Sequence, residues 1–282
     1  MSTQRVVVGV DGSPTSFGAL DAAAIEAQRR TADLEVVMCS GDVDECGPIL
    51  RAAAARVTQC HPGLAVITRA AFGDPADVLV ERSRGAALTV VGSRGIGGFA
   101  GLLLHSVSHQ VAARTAVPLL VVRGQDLRRM AQCSDTGRVL LGLESDADAD
   151  AALFAFEEAG LRGCQLDVLH AWTYRQAPPR LPDPVPAEPV RERIVRQTMA
   201  EAALPGEVVA PLRRTYPHLP VETRSVRSTP CRALIAATAG ADLVVIAAHR
   251  RRTRLGVQLG PVTGALLHHA YCPLVIVPIP EP

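Results

Sequence analysis

Five glycines stand within ten residues in one segment of the chain, between Gly92 and Gly101. Glycine accepts positive φ angles and lets a bound group approach the backbone closely. The segment follows an apolar run that predicts a strand and leads to Ser106, where a helix is predicted to begin. The N–H groups, the dipole and a hydroxyl at a helix start favour an anion. The pattern indicates a phosphate-binding loop, although the glycines alone would also suit an ordinary loop that needs tight turns.

An acidic residue, Asp11, ends the first apolar run of the chain, Val6–Val10. In an open α/β sheet, ligands bind beyond the carboxyl ends of the strands, where the strand order reverses. Strands one and four form the natural pair at that point. We therefore expect Asp11 and the loop that begins at Gly92 on opposite sides of one cleft.

All 29 basic residues are arginine, since the chain contains no lysine. A P-loop lysine, a Schiff base and a lysine general base are therefore excluded. A phosphate site must rely on backbone N–H groups, arginine and hydroxyls. No nucleophile with a partner base is recognisable, because Ser13 fits a helix N-cap, and the adjacent His268 and His269 lack the i, i+4 spacing of metal ligands. The sequence predicts neither catalysis nor a metal site.

The elements that would position these groups occur twice in the chain. The segment from Arg5 to Ser13 and the segment from Arg138 to Asp146 are apolar runs that end on an acidic residue and a polar turn. Each is followed by an alanine-rich helical stretch, and each half closes on an apolar run after a proline. A long repeat with alternating strands and helices predicts two α/β domains, residues 1–125 and residues 137–282.

Each domain is predicted to be Rossmann-like and doubly wound, with a five-stranded parallel sheet flanked by helices. The predicted strands are Val6–Val10, Leu34–Cys39, Leu64–Ala70, Leu88–Val91 and Leu119–Val122, then Val139–Leu143, Leu166–Ala171, Val221–Val226, Leu243–Ala247 and Leu274–Val277.

A proline-rich segment lengthens the second half, where six of the twelve residues from Pro178 to Pro189 are proline. This composition predicts an extended, polyproline-like segment. A plain surface loop is the favoured interpretation, and a lid or a ligand for a partner protein is the alternative.

The composition excludes several classes of function. The net charge is +1, and neither half carries a large excess of one sign, which disfavours nucleic-acid binding. No apolar run approaches the ~20 residues of a membrane span, and the amino terminus lacks an apolar signal core. The seven cysteines are scattered without a Cys-x-x-Cys pair, as in a reducing compartment. We therefore expect a cytoplasmic protein that binds neither nucleic acid nor a membrane.

Four motifs closely resemble those of the universal stress protein family, and the resemblance covers nearly the whole chain as a tandem pair. They are Val7-Val-Gly-Val-Asp11-Gly-Ser13, Gly73-Asp-Pro75, Val90-Val-Gly-Ser-Arg-Gly95 and Val117-Pro-Leu-Leu-Val-Val-Arg123. The resemblance implies a five-stranded parallel α/β fold in each half. The family that it resembles has two branches. One binds ATP through the motif Gly-x2-Gly-x9-Gly-Ser/Thr, and the other binds no nucleotide.

The resemblance implies a set of residues that bind ATP, with or without Mg²⁺, in the first half. They are Gly9, Val10, Asp11, Gly92, Arg94, Gly95, Ser106 and Val107. By position, Asp11 would face the adenine or the ribose, and the backbone at Gly92 and Gly95 would cradle the phosphates. Ser106 would donate to a phosphate oxygen, and Arg94 would add charge or remain solvated.

One position departs from the family motif, because His105 replaces its third glycine. If that position requires a positive φ angle, histidine costs about 1 kcal/mol. If the position requires only space, the side chain can turn outward, and a protonated ring would help to bind phosphate. Weakened binding is favoured over loss of binding.

The second half matches the motif far less. Its equivalent stretch reads Ala247-Ala-His-Arg250, then nine residues, then Gly260-Pro261, so both early glycines are lost and the hydroxyl has become proline. Glu144 stands in place of Asp11. The arginines between Arg250 and Arg254 could bind phosphate, but a solvated basic loop is the favoured interpretation. We predict that this half does not bind ATP in the family manner.

Three functions are consistent with the sequence, and they follow in order of preference. The first is a non-catalytic stress-response or regulatory protein that binds an adenine nucleotide and acts on unknown protein partners. The second is a ligand-free interaction protein whose halves form an intramolecular pseudo-dimer through Leu119–Val122 and Leu274–Val277, which are apolar edge strands. The third is a slow ATPase or adenylating enzyme. Whether two chains form a homodimer is left open.

Overall fold

A computed structural model of the 282-residue chain describes residues 4–41, 43–93, 106–123, 137–174, 187–253 and 256–279. Two predicted site residues, Arg94 and Gly95, lie outside the described residues, as does His105, which replaces the third glycine of the motif. The same holds for residues 124–136 between the halves and for residues 175–186 of the proline-rich segment.

The described part of the first half alternates strands with helices. Its elements are β1 (Arg5–Val10), α1 (Pro14–Arg29), β2 (Asp33–Cys39), α2 (Val43–Cys60), β3 (Val66–Ala71), α3 (Pro75–Ser83), β4 (Leu88–Gly92), α4 (Val107–Arg114) and β5 (Leu119–Val122). Ser13 caps α1, as the sequence predicts, and Asp74 caps α3, each with a proline at the start of the helix.

The second half repeats this order and adds a hairpin. Its elements are β6 (Arg138–Leu143), α5 (Ala149–Arg162), β7 (Gln165–Trp172), α6 (Ala187–Thr215), β8 (Val221–Arg227), α7 (Pro230–Thr238), β9 (Leu243–Ala248), β10 (Arg250–Thr253), β11 (Gly256–Leu259), α8 (Pro261–His269) and β12 (Leu274–Pro278). All ten predicted strands are present, with ends within two residues of the prediction.

The strands form one ten-stranded sheet in the order β3-β2-β1-β4-β5-β12-β9-β6-β7-β8. Within each half, neighbouring strands are parallel and follow the doubly wound order, which confirms the predicted fold class. The halves meet where β5 pairs antiparallel with β12, with Leu120 opposite Val275. This pairing confirms the predicted pseudo-dimer through the last strand of each half.

Continuous apolar strands and small helical residues build the core. The central strands are buried on both faces, as expected for parallel strands covered by helices. Ala19, Ala22 and Ala23 of α1 are fully buried, so this helix lies close to the sheet. The low aromatic content therefore reflects a core made of Val, Leu, Ile and Ala.

The prediction of an extended proline-rich segment is wrong at its end, because residues 187–189 form the first turn of α6. Proline is tolerated there, since the first N–H groups of a helix have no intrahelical partner to lose. The 29 residues of α6 exceed the 18 of α2, its counterpart, so part of the additional sequence lengthens a helix. Among the described residues, no helix combines the length and apolar character that crossing a bilayer requires.

Four buried charges link α1 to α5 across the two halves. Arg162 donates to Glu26 of the first half at 2.5 Å and to Glu158 of its own helix at 2.6 Å. Arg30 pairs in the same way with Glu158 and Glu26. The pattern Glu-x3-Arg therefore occurs at corresponding places in both halves, and each arginine bridges its own helix to the other half.

Two further arginines cross the junction to the ends of helices. Arg123, after β5, donates to the carbonyls of Leu266, Leu267 and Ala270 at the end of α8. Arg250, after β9, donates to the carbonyls of Ala112 and Thr115 at the end of α4. The last carbonyls of a helix lack intrahelical partners and carry partial negative charge, so both contacts are favourable.

Candidate functional site

The described members of the predicted site lie at the carboxyl edge of the first-half sheet. Strand β1 pairs with both β2 and β4, so the strand order reverses beside it, as the sequence predicts. Asp11 follows β1, and Gly92 ends β4. Because β4 and β5 are parallel neighbours, α4 must run back between them, and its first residue, Val107, starts from this same edge.

The turn after β1 fixes the orientation of Asp11. Its Oδ1 atom accepts hydrogen bonds from the backbone N–H of Ser13 at 3.0 Å and from the Ser13 hydroxyl at 2.6 Å. Gly12 has a φ angle of +82°, and a Cβ there would lie 2.8 Å from Cδ1 of Ile49. Glycine is therefore required at this turn, and the carboxylate is preoriented at the carboxyl edge of the sheet.

Two glycines of the predicted site have a packing role. A Cβ at Gly9 would lie 2.8 Å from Leu79 of α3, and a Cβ at Gly92 would lie 3.2 Å from the carbonyl oxygen of Thr15. The same device recurs in the second half, where a Cβ at Gly142 would lie 2.8 Å from Leu234. Neither Gly9 nor Gly92 therefore needs a ligand to explain it, and the neighbouring Val10 is buried.

The start of α4 supplies the hydroxyl at this edge. Ser106 is the N-cap of the helix, its Oγ accepts from the N–H of His109 at 3.3 Å, and it lies 3.3 Å from the hydroxyl of Ser108. Ser106 and Val107 are half-buried. The helix start predicted at Ser106 is confirmed, and it aims the positive end of the helix dipole towards the carboxyl edge.

The side chain of His109 lies closer to the second half than the sequence suggests. It is half-buried, and burial together with the positive charge of His268 lowers the pKa of His109 below its ordinary value. The ring therefore lies near His268 of α8 in the second half.

The equivalent edge of the second half is filled by its own side chains. The ring of His249 places Nε2 2.9 Å from Asp148 and 3.4 Å from Glu144, the counterpart of Asp11. The backbone carbonyl of His249 accepts from the N–H of Gly260 at 2.8 Å. Between these two residues the chain forms the antiparallel hairpin β10–β11. A carboxylate pair and an imidazole therefore occupy this edge, and the positions of Glu144 and His249 correspond in the sequence to Asp11 and Arg94 of the first half.

The prediction of a solvated basic loop from Arg250 to Arg254 is wrong at its start. Residues 250–253 form strand β10, and the guanidinium of Arg250 donates to α4 as described above. A run of arginines is typical of a solvated loop. The sequence could not predict the contact of Arg250, because it does not show which carbonyls the other half brings within reach. Residues 254 and 255 lie outside the described part of the chain.

Asp148 is expected to control the protonation of His249. The carboxylate of Asp148, 2.9 Å from Nε2, raises the pKa of His249 above its ordinary value, and the charge of Glu144 adds to this against the effect of burial. Asp148→Asn should lower that pKa, because the neutral amide can still accept from the N–H groups of Glu144 and Ser145 but no longer stabilises the imidazolium. Titration of the His249 ring by NMR measures this shift.

The raised pKa of His249 determines how its contribution to folding stability changes with pH. A raised pKa in the folded state stabilises the fold at low pH, and this contribution is lost as the pH rises through the folded value of His249. His61, a half-buried histidine of the first half, serves as an internal control in the same spectra. An unchanged pKa of His249 in Asp148→Asn would contradict the assigned ion pair.

Comparison with known proteins decides the family. The model of the universal stress protein family matches residues 42–123 and residues 136–278. The chain belongs to the universal stress protein family. A universal stress protein of Mycobacterium tuberculosis is 31% identical over 96% of each chain. One of Mycolicibacterium smegmatis is 30% identical, again over 96% of each chain.

The fold agrees with a solved structure of the family. The crystal structure of a universal stress protein from Archaeoglobus fulgidus superposes with a TM-score of 0.67 and covers 99% of this chain and all of its own. At 16% sequence identity, this likeness shows the tandem α/β fold. It agrees with the two matched segments and with the ten-stranded sheet of this universal stress protein.

The structure shows contacts that the sequence did not predict. Asp148 and His249 fill the second-half edge, and Arg250 reaches the first half. The signal for the first pair lies in the repeat itself, because His249 stands where the first half has Arg94, in the counterpart of the glycine loop. The contact of Arg250 has no sequence signal, since it depends on how the halves meet.

Proposed function

We propose that the first half of this universal stress protein binds an adenine nucleotide, ATP above all, and that the protein acts as a non-catalytic regulator in the stress response. The observation that carries the proposal is the placement of Ser106 as the N-cap of α4, at the edge where Asp11 follows β1. A helix start with a hydroxyl beside it favours a phosphate. The stretch from Gly92 to Ser106 also resembles the motif of the ATP-binding branch.

Each proposed contact uses a group that suits its part of the nucleotide. The backbone of the loop that contains Gly95 and the N–H groups at the start of α4 donate to the phosphates, with the Ser106 hydroxyl, and Arg94 adds charge. The carboxylate of Asp11 accepts from the ribose hydroxyls or from the adenine amine, for which the Ser13 hydrogen bonds hold it ready. Because the site needs no lysine, it fits a chain whose basic residues are all arginine.

We propose different roles for the two domains. Residues 1–125 form the nucleotide-binding domain, and residues 137–282 form a domain that binds no ATP in this manner. Support comes from the second-half edge, where Glu144 and Asp148 surround His249. Two carboxylates there would repel a polyphosphate, and Pro261 at the start of α8 offers neither an N–H nor a hydroxyl.

Isothermal titration calorimetry with ATP tests the proposal. Gly95→Glu should weaken binding at least tenfold, about 1.4 kcal/mol, because it places a negative charge where the phosphates are proposed to bind. Gly160→Glu is the matched control, since Gly160 is exposed on α5 and has open space around its Cβ position. The control should keep the affinity of the natural sequence.

Two outcomes would contradict the proposal. The absence of measurable ATP binding by the natural sequence would favour the ligand-free interaction protein instead. Equal affinity of the natural sequence and Gly95→Glu would place the nucleotide at another site.

A further inference from the structure

The antiparallel junction between the halves brings opposite edges of the two sheets side by side. Because β5 and β12 run in opposite directions, the carboxyl edge of the second half lies next to the amino edge of the first. Helix α4 starts at the carboxyl edge of the first half, so it ends at that amino edge. The end of α4 therefore meets the hairpin β10–β11.

One arginine makes the polar contact at this meeting point. Arg250 donates to the carbonyl of Ala112, in the last turn of α4, at 3.2 Å, and to the carbonyl of Thr115, the fully buried C-cap. Two hydrogen bonds from one guanidinium fix both the position and the direction of a helix end. The positive charge also suits the negative end of the helix dipole.

The base of the hairpin holds Arg250 in place. Its neighbour His249 is tied through its ring to Asp148 at 2.9 Å and through its carbonyl to Gly260 at 2.8 Å. A Cβ at Gly260 would lie 3.1 Å from that carbonyl oxygen, so glycine permits this close approach. Asp148 is itself fixed by accepting from the N–H of Glu144 at 2.6 Å. The edge of the second half thus acts as a fixed support for the arginine.

We propose that Arg250 is a positioning residue for the nucleotide site of the other half, acting through α4; this rests on the proposed function. With eight residues, α4 is about 12 Å long, so a displacement of its last turn is carried to its first as a rigid-body movement. Ser106 at the far end is the proposed phosphate ligand. The second half has lost its own nucleotide motif and supports that of the first half.

Calorimetry on three variants of the full chain tests this role. Arg250→Ala should weaken ATP binding about fivefold, because α4 loses the contact that fixes its end. Arg250→Lys should recover part of the affinity, since an ammonium group can donate to one of the two carbonyls. Arg213→Ala is the control and should bind ATP as the natural sequence does, because Arg213 donates to a carbonyl of β8 at the outer edge of the sheet.

A second measurement needs no variant of Arg250. Coupling between two sites is reciprocal, so ATP that is bound at the start of α4 should stabilise the hairpin. Hydrogen exchange of the amides in β11 and at Gly260 should therefore slow when ATP is added. A contact with only a structural role would slow these amides no more than the amides of β8, at the outer edge of the same sheet.

The outcomes separate this inference from the proposed function. Unchanged ATP affinity in Arg250→Ala, with a lowered melting temperature alone, would overturn the inference and leave ATP binding intact. If Arg250→Ala does not fold, unchanged hairpin exchange on addition of ATP to the natural sequence would overturn it. No ATP binding by the natural sequence would overturn both.

Discussion

Replacement of Arg162 by methionine is expected to lower the free energy of unfolding by about 3 kcal/mol or more. The side chain is buried at the junction, where it donates to Glu26 at 2.5 Å and to Glu158 at 2.6 Å. Removal of one partner from a buried ion pair leaves carboxylates that water cannot reach. Urea unfolding, followed by the fluorescence of Trp172, measures the loss, and Trp172 is the one tryptophan of the sequence.

A surface ion pair provides the matched control for Arg162. Arg56 donates to both carboxylate oxygens of Asp21 at 2.6 and 2.7 Å, but its side chain is half-exposed. Arg56→Met should therefore cost less than about 1 kcal/mol. An equally small loss for Arg162→Met would show that the buried charges do not hold the two halves together.

The stability lost in Arg162→Met is expected to depend on pH. Burial alone would raise the pKa of Glu26, but Arg162, Arg30 and Arg29 together hold it below its ordinary value. A lowered pKa in the folded state contributes stability at neutral pH that is lost as the pH falls through the folded value. The difference between the natural sequence and Arg162→Met should therefore shrink in acid.

Leu120→Ala is expected to cost about 2–5 kcal/mol, and the loss should be felt in both halves. Leu120 is buried in β5 opposite Val275 of β12, so truncation leaves a cavity at the junction of the sheet. The variant lies in the first half, whereas Trp172 lies in β7 of the second. If the ten-stranded sheet unfolds as one unit, the urea midpoint reported by Trp172 must shift with that reported by circular dichroism.

An exposed leucine provides the control for Leu120. Leu161 on α5 is 47% exposed, so Leu161→Ala should change the stability by no more than about 0.5 kcal/mol. A biphasic unfolding curve for Leu120→Ala, with the Trp172 midpoint unmoved, would mean that the halves fold independently.

The strands and helix caps could be predicted because they depend on local sequence. A continuous apolar run such as Leu119–Val122 is fully buried only as a strand of a sheet that helices cover on both faces. Ser13, Asp74 and Ser106 occupy N-cap positions because their side chains accept from the first free N–H groups of a helix. The repeat then predicts the same order of elements in both halves.

The contacts between the halves could not be predicted in the same way. Glu26 and Arg162 are 136 residues apart in the chain, and their pairing depends on the antiparallel meeting of β5 and β12. The hairpin from Arg250 to Leu259 contains a run of arginines that is typical of a loop, and its strands form only by pairing with each other. A signal was nevertheless present, because Glu-x3-Arg recurs at corresponding places in α1 and α5.

The most direct test of the nucleotide site is a crystal structure of the full chain grown with ATP. We predict one nucleotide for each chain, with its phosphates at the start of α4 beside Ser106 and its ribose or adenine towards Asp11. The second-half edge should hold no nucleotide, with His249 still paired to Asp148. A nucleotide bound between Glu144 and His249, or an imidazole of His105 filling the first-half cleft in the presence of ATP, would contradict the account.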